Sequence, residues 1–204
     1  MEIMPQFPLG TVLLPSMVLP LHIFEPRYRD LMTAVVPERR EFGVTLIERG
    51  AEVGGGEVRT MTGTVARIVE AEEFDDGRWL VVIAGTRRFR VAEWLPDDPY
   101  PVASIEDWPD EPTTVELSED VAKTIGRFKR CLATASEAGH NVGPIPEIAE
   151  EAVDAIEQLA VLSPVSQLDR QRFLEAVGPQ QRLTLIDQAL ADAQEMFDFE
   201  LMEG

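Results

Sequence analysis

The sequence is short of the residues from which most catalytic and metal sites are built. Its 204 residues include one cysteine, Cys131, and two histidines, His22 and His140. A single cysteine can form neither a disulfide within the chain nor a zinc site of the usual multi-cysteine kind. Two histidines leave little material for a Ser-His-Asp or Cys-His catalytic site.

The familiar catalytic motifs are missing as well. The sequence contains neither G-x-S-x-G nor H-E-x-x-H, which mark serine hydrolases and zinc proteases. We interpret His22 as a core or rim histidine of a strand, and His140, which follows Gly139, as a solvated loop residue. His22 and Glu25 could supply two metal ligands, but no third ligand is evident. We therefore expect no catalytic residue, no metal site and no cofactor.

Positive charge is scarce. The formal net charge is −19, and both the part before Trp108 and the part after it are acidic. A nucleic-acid surface needs clustered lysine and arginine, so this composition opposes a nucleic-acid partner. The clearest of the local exceptions, Arg87, Arg88 and Arg90, is interpreted as a strand edge that faces solvent.

Long apolar runs are missing too. No run approaches the roughly 18 apolar residues that a membrane-spanning helix requires. The N-terminus carries Glu2 where a signal peptide would carry positive charge. We expect a cytoplasmic protein with no membrane partner.

The stretch 18–30 is the best-defined element of the first half. Its apolar residues up to Phe24 form a short run interrupted by Pro20, which predicts a strand buried on both faces. Pro26 has the fixed φ of a first helical turn, and Glu25 carries the negative charge that a helix N-terminus favours. We predict a helix over 26–37 whose apolar face is formed by Tyr28, Leu31, Met32 and Val35.

Further segments of the first half have the composition of β-strands. They are 7–14, 41–48, 58–74, 79–84, 87–95 and 100–108. Asp76-Gly77 predicts a tight hairpin, Gly85-Thr86 a second turn, and the triple glycine 54–56 a turn or loop. Six or so short strands with one helix inserted early favour a small closed barrel.

The second half is helical. A stretch rich in proline, aspartate, glutamate and threonine at 107–116 marks a boundary, which predicts domains over 1–110 and 111–204. Ser118 is a predicted helix N-cap. Apolar residues then recur at helical spacing in four segments, 118–138, 146–162, 166–177 and 180–199, which predict a helical bundle.

Several stretches, taken in order, carry a family resemblance. They are FPLGTVLLPSMVLPLHIFEPRYRDLM at 7–32, EFGVTLI at 41–47, TGTVARIVEAEEFDDGRWLVVIAGTRRFRV at 62–91, and SPVSQLDRQRFLEAV with QRLTLIDQALADAQEM within 163–196. They resemble the Lon N-terminal domain family, the substrate-binding part of Lon protease. The resemblance implies an α+β fold, a small PUA-like β-barrel with one inserted helix followed by a C-terminal helical bundle.

The family domain also occurs free-standing, and we expect that form here. Full-length Lon continues into an ATPase module and a Ser-Lys protease domain, whereas this chain ends at Gly204. Its only lysines, Lys123 and Lys129, lie on one predicted helix outside any such dyad. The chain is therefore not expected to be an enzyme.

The function that the resemblance implies is a non-catalytic protein-binding module. An apolar groove beside a barrel edge could take unfolded or extended polypeptide by strand addition, either alone or together with a proteolytic machine. Flexible and aromatic apolar residues near the start of the barrel suit such partners. The candidate binding residues are Phe24, Arg27, Tyr28, Met17, Leu19 and Met61.

Two alternatives stay open at this point. PUA-like barrels often bind RNA, although the acidic composition opposes it. A small-ligand-binding protein or an enzyme could instead use an unrecognised site in the cleft between barrel and bundle, around Arg27 and Tyr28. Arg27 could equally be a structural partner of Glu25 or of a carboxylate in the bundle.

Overall fold

A computed structural model describes residues 1–50 and 56–203. Two compact units divide the chain, the first over 1–109 and the second over 110–204. Gly54 and Gly55, from the predicted triple-glycine turn, lie outside the described residues.

Among its described residues, the first unit contains six strands and one helix. In chain order they are β1 (Glu2–Leu9), β2 (Val18–Ile23), α1 (Pro26–Val35), β3 (Glu41–Arg49), β4 (Val58–Glu73), β5 (Trp79–Leu95) and β6 (Val102–Asp107). The mixed α+β class with one early inserted helix is confirmed.

Backbone pairing runs in a ring through five of these strands. β5 pairs with β4, β4 with β3, β3 with β1, β1 with β6, and β6 again with β5. The β1–β3 pair is parallel and the others are antiparallel. β2 stands outside the ring and pairs antiparallel with the first part of β5.

Helix α1 follows the prediction closely. Pro26 lies in its first turn, and the four residues of the predicted apolar face are buried. They pack with the inner side chains of the strands in one apolar core, which includes Phe42, Val81 and Ile83. The helix therefore covers part of the sheet.

Two strand predictions need correction. The first strand covers Glu2–Leu9 rather than 7–14, since Met4 is already buried and Gln6–Leu9 pair with β3. β2 is not buried on both faces. Only Leu21 and Ile23 are buried, and the alternate side chains Val18, Pro20 and His22 are exposed.

The hairpin at Asp76-Gly77 is confirmed, but the turn predicted at Gly85-Thr86 is wrong. Phe74 accepts a hydrogen bond from the Gly77 N–H, and Gly77 has a φ of 78°. β5 instead continues straight through Gly85. A Cβ there would lie 2.1 Å from the Leu14 carbonyl oxygen, so Gly85 permits a close backbone approach rather than a turn.

The second unit contains four helices within the described residues. They are α2 (Ser118–Glu137), α3 (Ala152–Leu162), α4 (Gln167–Glu175) and α5 (Pro179–Glu203). The prediction of C-terminal helices is confirmed, with two local corrections.

Both corrections concern helix starts. α3 begins at Ala152 rather than at Pro146, since the Glu151 carboxylate caps it by accepting hydrogen bonds from the Val153 and Asp154 N–H groups. Ser118 is the first residue of α2 rather than its N-cap, and its N–H donates to Glu116.

Candidate functional site

The candidate site is a gap between β1 and β2 in the first unit. One edge of β5 pairs with β4, and its other edge pairs first with β2 and then with β6. β6 continues the sheet to β1. β2, which occupies the neighbouring position along β5, has no strand pairing with β1 in the described part of the chain.

Two prolines explain why the gap stays open. The Gly85 N–H donates to the Met17 carbonyl, so in the alternating antiparallel pattern Leu19, Leu21 and Ile23 bond toward β5. Pro20 and His22 then direct their backbone groups away from β5. Pro20 has no N–H, so it offers the gap only a carbonyl.

The same logic applies to β1. The Gln6 N–H donates to the Pro101 carbonyl just before β6, which places the backbone groups of Gln6 on the β6 side. Two residues further, Pro8 directs its backbone toward that side and also lacks an N–H. β1 and β2 therefore each lack a donor where they could otherwise pair.

A cavity of about 190 Å³ occupies this gap. The Phe7 and Tyr28 rings pack at a centroid distance of 4.2 Å beside it. Most of its lining is apolar: Phe7, Pro8, Leu9, Pro20, Leu21, His22, Ile23, Phe24, Glu25 and Tyr28. Such a cavity is suited to an apolar side chain rather than to a charged one.

A charged network lies next to Tyr28. The Arg27 guanidinium lies 4.4 Å from the Tyr28 ring centroid, and its Nε donates to Glu25 at 3.3 Å. Arg59 contacts Glu57 at 2.8 Å and Asp97 at 2.6 Å. The expected structural pairing of Arg27 with Glu25 is thus present.

Burial changes the titration of two residues in this region. It raises the pKa of the Tyr28 hydroxyl, whose oxygen is buried and has no hydrogen-bond partner in the part of the chain that the structure describes. Burial lowers the pKa of Arg59, but hydrogen bonds to Asp97 and Glu57 more than offset this, so the net direction is upward. Arg59 stays protonated, and Tyr28 stays neutral well above physiological pH.

The structure brings only some of the predicted site residues together. Phe24 is 53% exposed and Tyr28 only 3%, yet both line the cavity. Arg27 lies beside them. Met17 and Leu19 are half-buried and pack against the core. Met61, 50% exposed on β4, does not line the cavity.

Residue types alone do not reveal the features that shape the gap. Pro8, Pro20 and the backbone of His22 were not among the candidates. A proline inside a predicted strand is a signal for a free edge, and two such prolines in neighbouring strands could have pointed to this gap.

The arginine cluster follows the prediction only in part, since Arg90 is exposed. Arg88 is buried rather than facing solvent. The guanidinium groups of Arg88 and Arg90 lie 4.6 and 3.5 Å from the Trp108 ring centroid. Arg87 forms ion pairs with Glu2, Glu41 and Asp107. Arg87 on β5 thus contacts residues of β1, β3 and β6.

The two histidines are both at the surface. His22 is exposed on β2, and His140 Nε2 lies 2.7 Å from a Glu200 carboxylate oxygen. Residues 1–50 and 56–203 contain no group of three or more histidine, cysteine, aspartate or glutamate side chains placed to hold a metal ion. Within the same residues no helix is long and apolar enough to cross a membrane.

Comparison with known proteins identifies relatives over nearly the whole chain. The family model for the ATP-dependent protease La (LON) substrate-binding domain matches residues 3–192. The crystal structure of a Lon N-terminal domain protein from Xanthomonas campestris is 29% identical and superposes with a TM-score of 0.68, covering 90% of this chain and 96% of that one. The N-terminal domain of the Mycobacterium avium complex Lon protease, 16% identical, shares the fold with a TM-score of 0.63 over 94% of this chain and 99% of that domain.

Longer proteins contain a similar region. Lon protease 2 of Myxococcus xanthus is 29% identical over 91% of this chain. A LON peptidase N-terminal domain and RING finger protein of Schizosaccharomyces pombe is 26% identical over 84% of this chain. The chain spans 23% of the length of the first and 42% of the second.

Proposed function

The chain belongs to the family of ATP-dependent protease La (LON) substrate-binding domains, and from this we propose that it binds unfolded or extended polypeptide without catalysing a reaction on it. The observation that carries the proposal is the open gap between β1 and β2. An apolar cavity lies there beside a strand whose outer edge is unpaired in the described residues.

Exposed apolar side chains beside the gap support this function. Val18, the first residue of β2, is 60% exposed, and Phe24, directly after its last residue, is 53% exposed. An unfolded segment displays apolar side chains that a folded protein hides. Contacts between these side chains and Val18 or Phe24 would remove apolar surface from water on both partners. The chain would therefore bind the unfolded form of a protein in preference to its folded form.

The net charge of the chain favours some unfolded polypeptides over others. With a net charge of −19, the chain repels acidic polypeptides at long range and attracts basic ones. We propose that its clients are neutral or basic segments, and that they reach a proteolytic machine with which this chain works. The lone buried cysteine, Cys131, is consistent with our proposal that the chain acts in the cytoplasm.

Fluorescence anisotropy tests the proposal. The labelled probe is ribonuclease A that has been reduced and blocked with iodoacetamide, which makes it permanently unfolded, and the control is the same protein in its folded, disulfide-bonded form. We expect saturable binding of the unfolded form alone, with a weak salt dependence. Equal binding of both forms, or of neither, would contradict the proposal.

A pair of variants tests whether the gap is involved. Phe24→Ser removes an exposed apolar side chain at the cavity, and we expect it to weaken binding at least about fivefold. Leu168→Ser removes a side chain of similar exposure, 60%, from α4 in the second unit. The second variant should bind as the parent chain does; equal losses in both would remove the gap from the proposal.

A further inference from the structure

We propose that the client segment binds as an added β-strand along the outer edge of β2, with one of its apolar side chains in the cavity between β1 and β2. This inference rests on the proposed function, and it specifies how the polypeptide is held. The alternation of hydrogen bonds along β2 carries it.

The backbone groups available at this edge are defined by the pairing with β5. Gly85 bonds to Met17, and the register then runs Leu19 with Ile83 and Leu21 with Val81. The intervening residues Val18 and His22 direct both N–H and C=O away from β5. Pro20, between them, directs only its carbonyl outward.

An extended polypeptide is the partner that fits this arrangement. The free groups recur at every second residue, which is the spacing at which another strand presents its own donors and acceptors. Neither a nucleic acid nor a small apolar molecule supplies alternating donors and acceptors at that spacing. The match is independent of client sequence, because it uses the backbone alone.

Because of Pro20, the outer edge of β2 is better suited to pair with a client segment than with β1. β1 could form few hydrogen bonds to β2, since Pro8 and Pro20 both lack an N–H there. A client supplies its own N–H groups to the carbonyls of Pro20 and His22. The edge is thus poor at pairing within the fold while keeping acceptors for a polypeptide from outside.

The cavity gives the added strand an apolar contact. Leu21 and Ile23 on β2 and Phe7 and Leu9 on β1 line it, so a side chain of the client entering it would be surrounded by carbon atoms. Backbone bonds along the edge and one buried apolar side chain together select extended segments that contain a leucine, phenylalanine or similar residue.

A second copy of this chain is the other conceivable partner for an open edge. Two copies would each carry a net charge of −19, so their approach is opposed electrostatically. An unfolded basic or neutral segment meets no such opposition.

Amide hydrogen exchange tests the added strand directly. With the 15N-labelled chain at saturating unfolded ribonuclease probe, we expect exchange at the Val18 and His22 amides to slow at least about tenfold, whereas the Leu19 and Leu21 amides, already bonded to β5, change little. Protection of Val18 and His22 that grows with chain concentration without the probe would instead show pairing between two copies and overturn the proposal.

Two substitutions at one position isolate the backbone donor. His22→Pro removes the outward N–H without removing a bond to β5, and His22→Ala removes the imidazole but keeps the N–H. We expect the proline variant to bind the probe about three- to tenfold more weakly than the alanine variant, which is the effect of one lost hydrogen bond. Far-ultraviolet circular dichroism checks that both variants fold.

The outcomes separate this inference from the proposed function. If the probe does not bind the parent chain, the proposed function fails. If it binds, but His22→Pro and His22→Ala bind equally and the two amides stay unprotected, polypeptide binding stands and the added strand is wrong.

Discussion

Arg182 holds Asp110 with two parallel hydrogen bonds, from Nη1 to Oδ2 and from Nη2 to Oδ1, each 2.7 Å long. The Arg182 Nε also donates to the Phe173 carbonyl at 3.1 Å. Arg182 is buried in the second unit. A single side chain on α5 thereby fixes both the segment that leads into this unit and the end of α4.

Arg182→Ala should destabilise the second unit strongly. The substitution leaves the Asp110 carboxylate and the Phe173 carbonyl without these donors. Because Asp110 remains partly exposed, we expect a loss of about 2–4 kcal/mol rather than the full cost of an isolated buried charge. Urea unfolding followed at 222 nm measures it.

Arg172→Ala is the matched control for that experiment. Arg172 forms an exposed ion pair with Asp169 within α4, and such pairs contribute at most about 1 kcal/mol. A loss at Arg172 as large as that at Arg182 would show that the paired geometry around Asp110 is not the source of stability.

Gly126→Ala should stabilise the protein. Gly126 lies within α2, and an added Cβ would meet only the Arg130 Nη1 atom, at 3.5 Å, which is an ordinary contact. Alanine loses less conformational freedom than glycine in a helix, so we expect a gain of about 0.5–1 kcal/mol. The midpoint of urea unfolding should rise.

Gly85→Ala should have the opposite effect. Its Cβ would overlap the Leu14 carbonyl oxygen, and backbone cannot easily move aside. We expect it to lower stability by more than about 1 kcal/mol. A stable Gly85→Ala variant would mean that Leu14 does not cross β5 as described.

Tyr28→Phe should change the dependence of stability on pH. The pKa of Tyr28 is raised from its ordinary value of 10.0 by burial, so above pH 10 the hydroxyl ionises in the unfolded chain but not in the folded one. The contribution of the Tyr28 hydroxyl to the free energy of unfolding is fully present below pH 10 and is lost as pH rises beyond that. The phenylalanine variant should therefore lose less stability than the parent between pH 9 and pH 11.

At neutral pH the same variant should be no less stable than the parent. The Tyr28 hydroxyl has no hydrogen-bond partner among the described residues, so removing it leaves no group newly unpaired. Tyr100→Phe, at a half-buried position, controls for the loss of a tyrosine as such. A marked loss of stability at pH 7 in Tyr28→Phe would reveal a hydrogen bond of that hydroxyl.

Cys131 should be unreactive in the folded protein. It is fully buried. The pKa of its thiol is raised mainly by burial and, to a smaller extent, by the nearby Asp198 carboxylate. Since the thiolate is the reactive form, we expect Ellman's reagent at pH 8 to modify it only slowly, and rapidly once urea unfolds the chain. Rapid modification without urea would contradict the burial of α2 against its neighbours.

Local signals in the sequence predicted the elements that depend on local chemistry. Pro26 with the apolar spacing of α1 located the helix, and Asp76-Gly77 located the hairpin. Both depend on residues close together in the chain, where backbone preferences and side-chain spacing decide the outcome.

The sequence-based predictions that failed concern positions where segments distant in the chain come into contact. Glycine at position 85 is typical of a turn. In the structure it lies within β5, where the backbone near Leu14 passes close to it, and no local pattern in the sequence reveals that contact. The pairing of Glu2 with β6 likewise set where β1 begins, and the parallel pairing of Leu9 with β3 set where it ends. The candidate site was likewise predictable only where it depends on local sequence. Phe24 and Tyr28 were found by type, whereas the gap depends on how β1 and β2 are placed around β6.

The ring of strands is closed by residues more than a hundred positions apart, since Glu2 of β1 pairs with Ile105 of β6. During synthesis, at about 5–20 residues per second, β1 therefore leaves the ribosome several seconds before β6 is made. Through that interval Met4 and Phe7 have no completed core to enter. The ring can be completed only when its last strand emerges, so until then the nascent chain exposes apolar residues of the kind that we propose the folded protein binds.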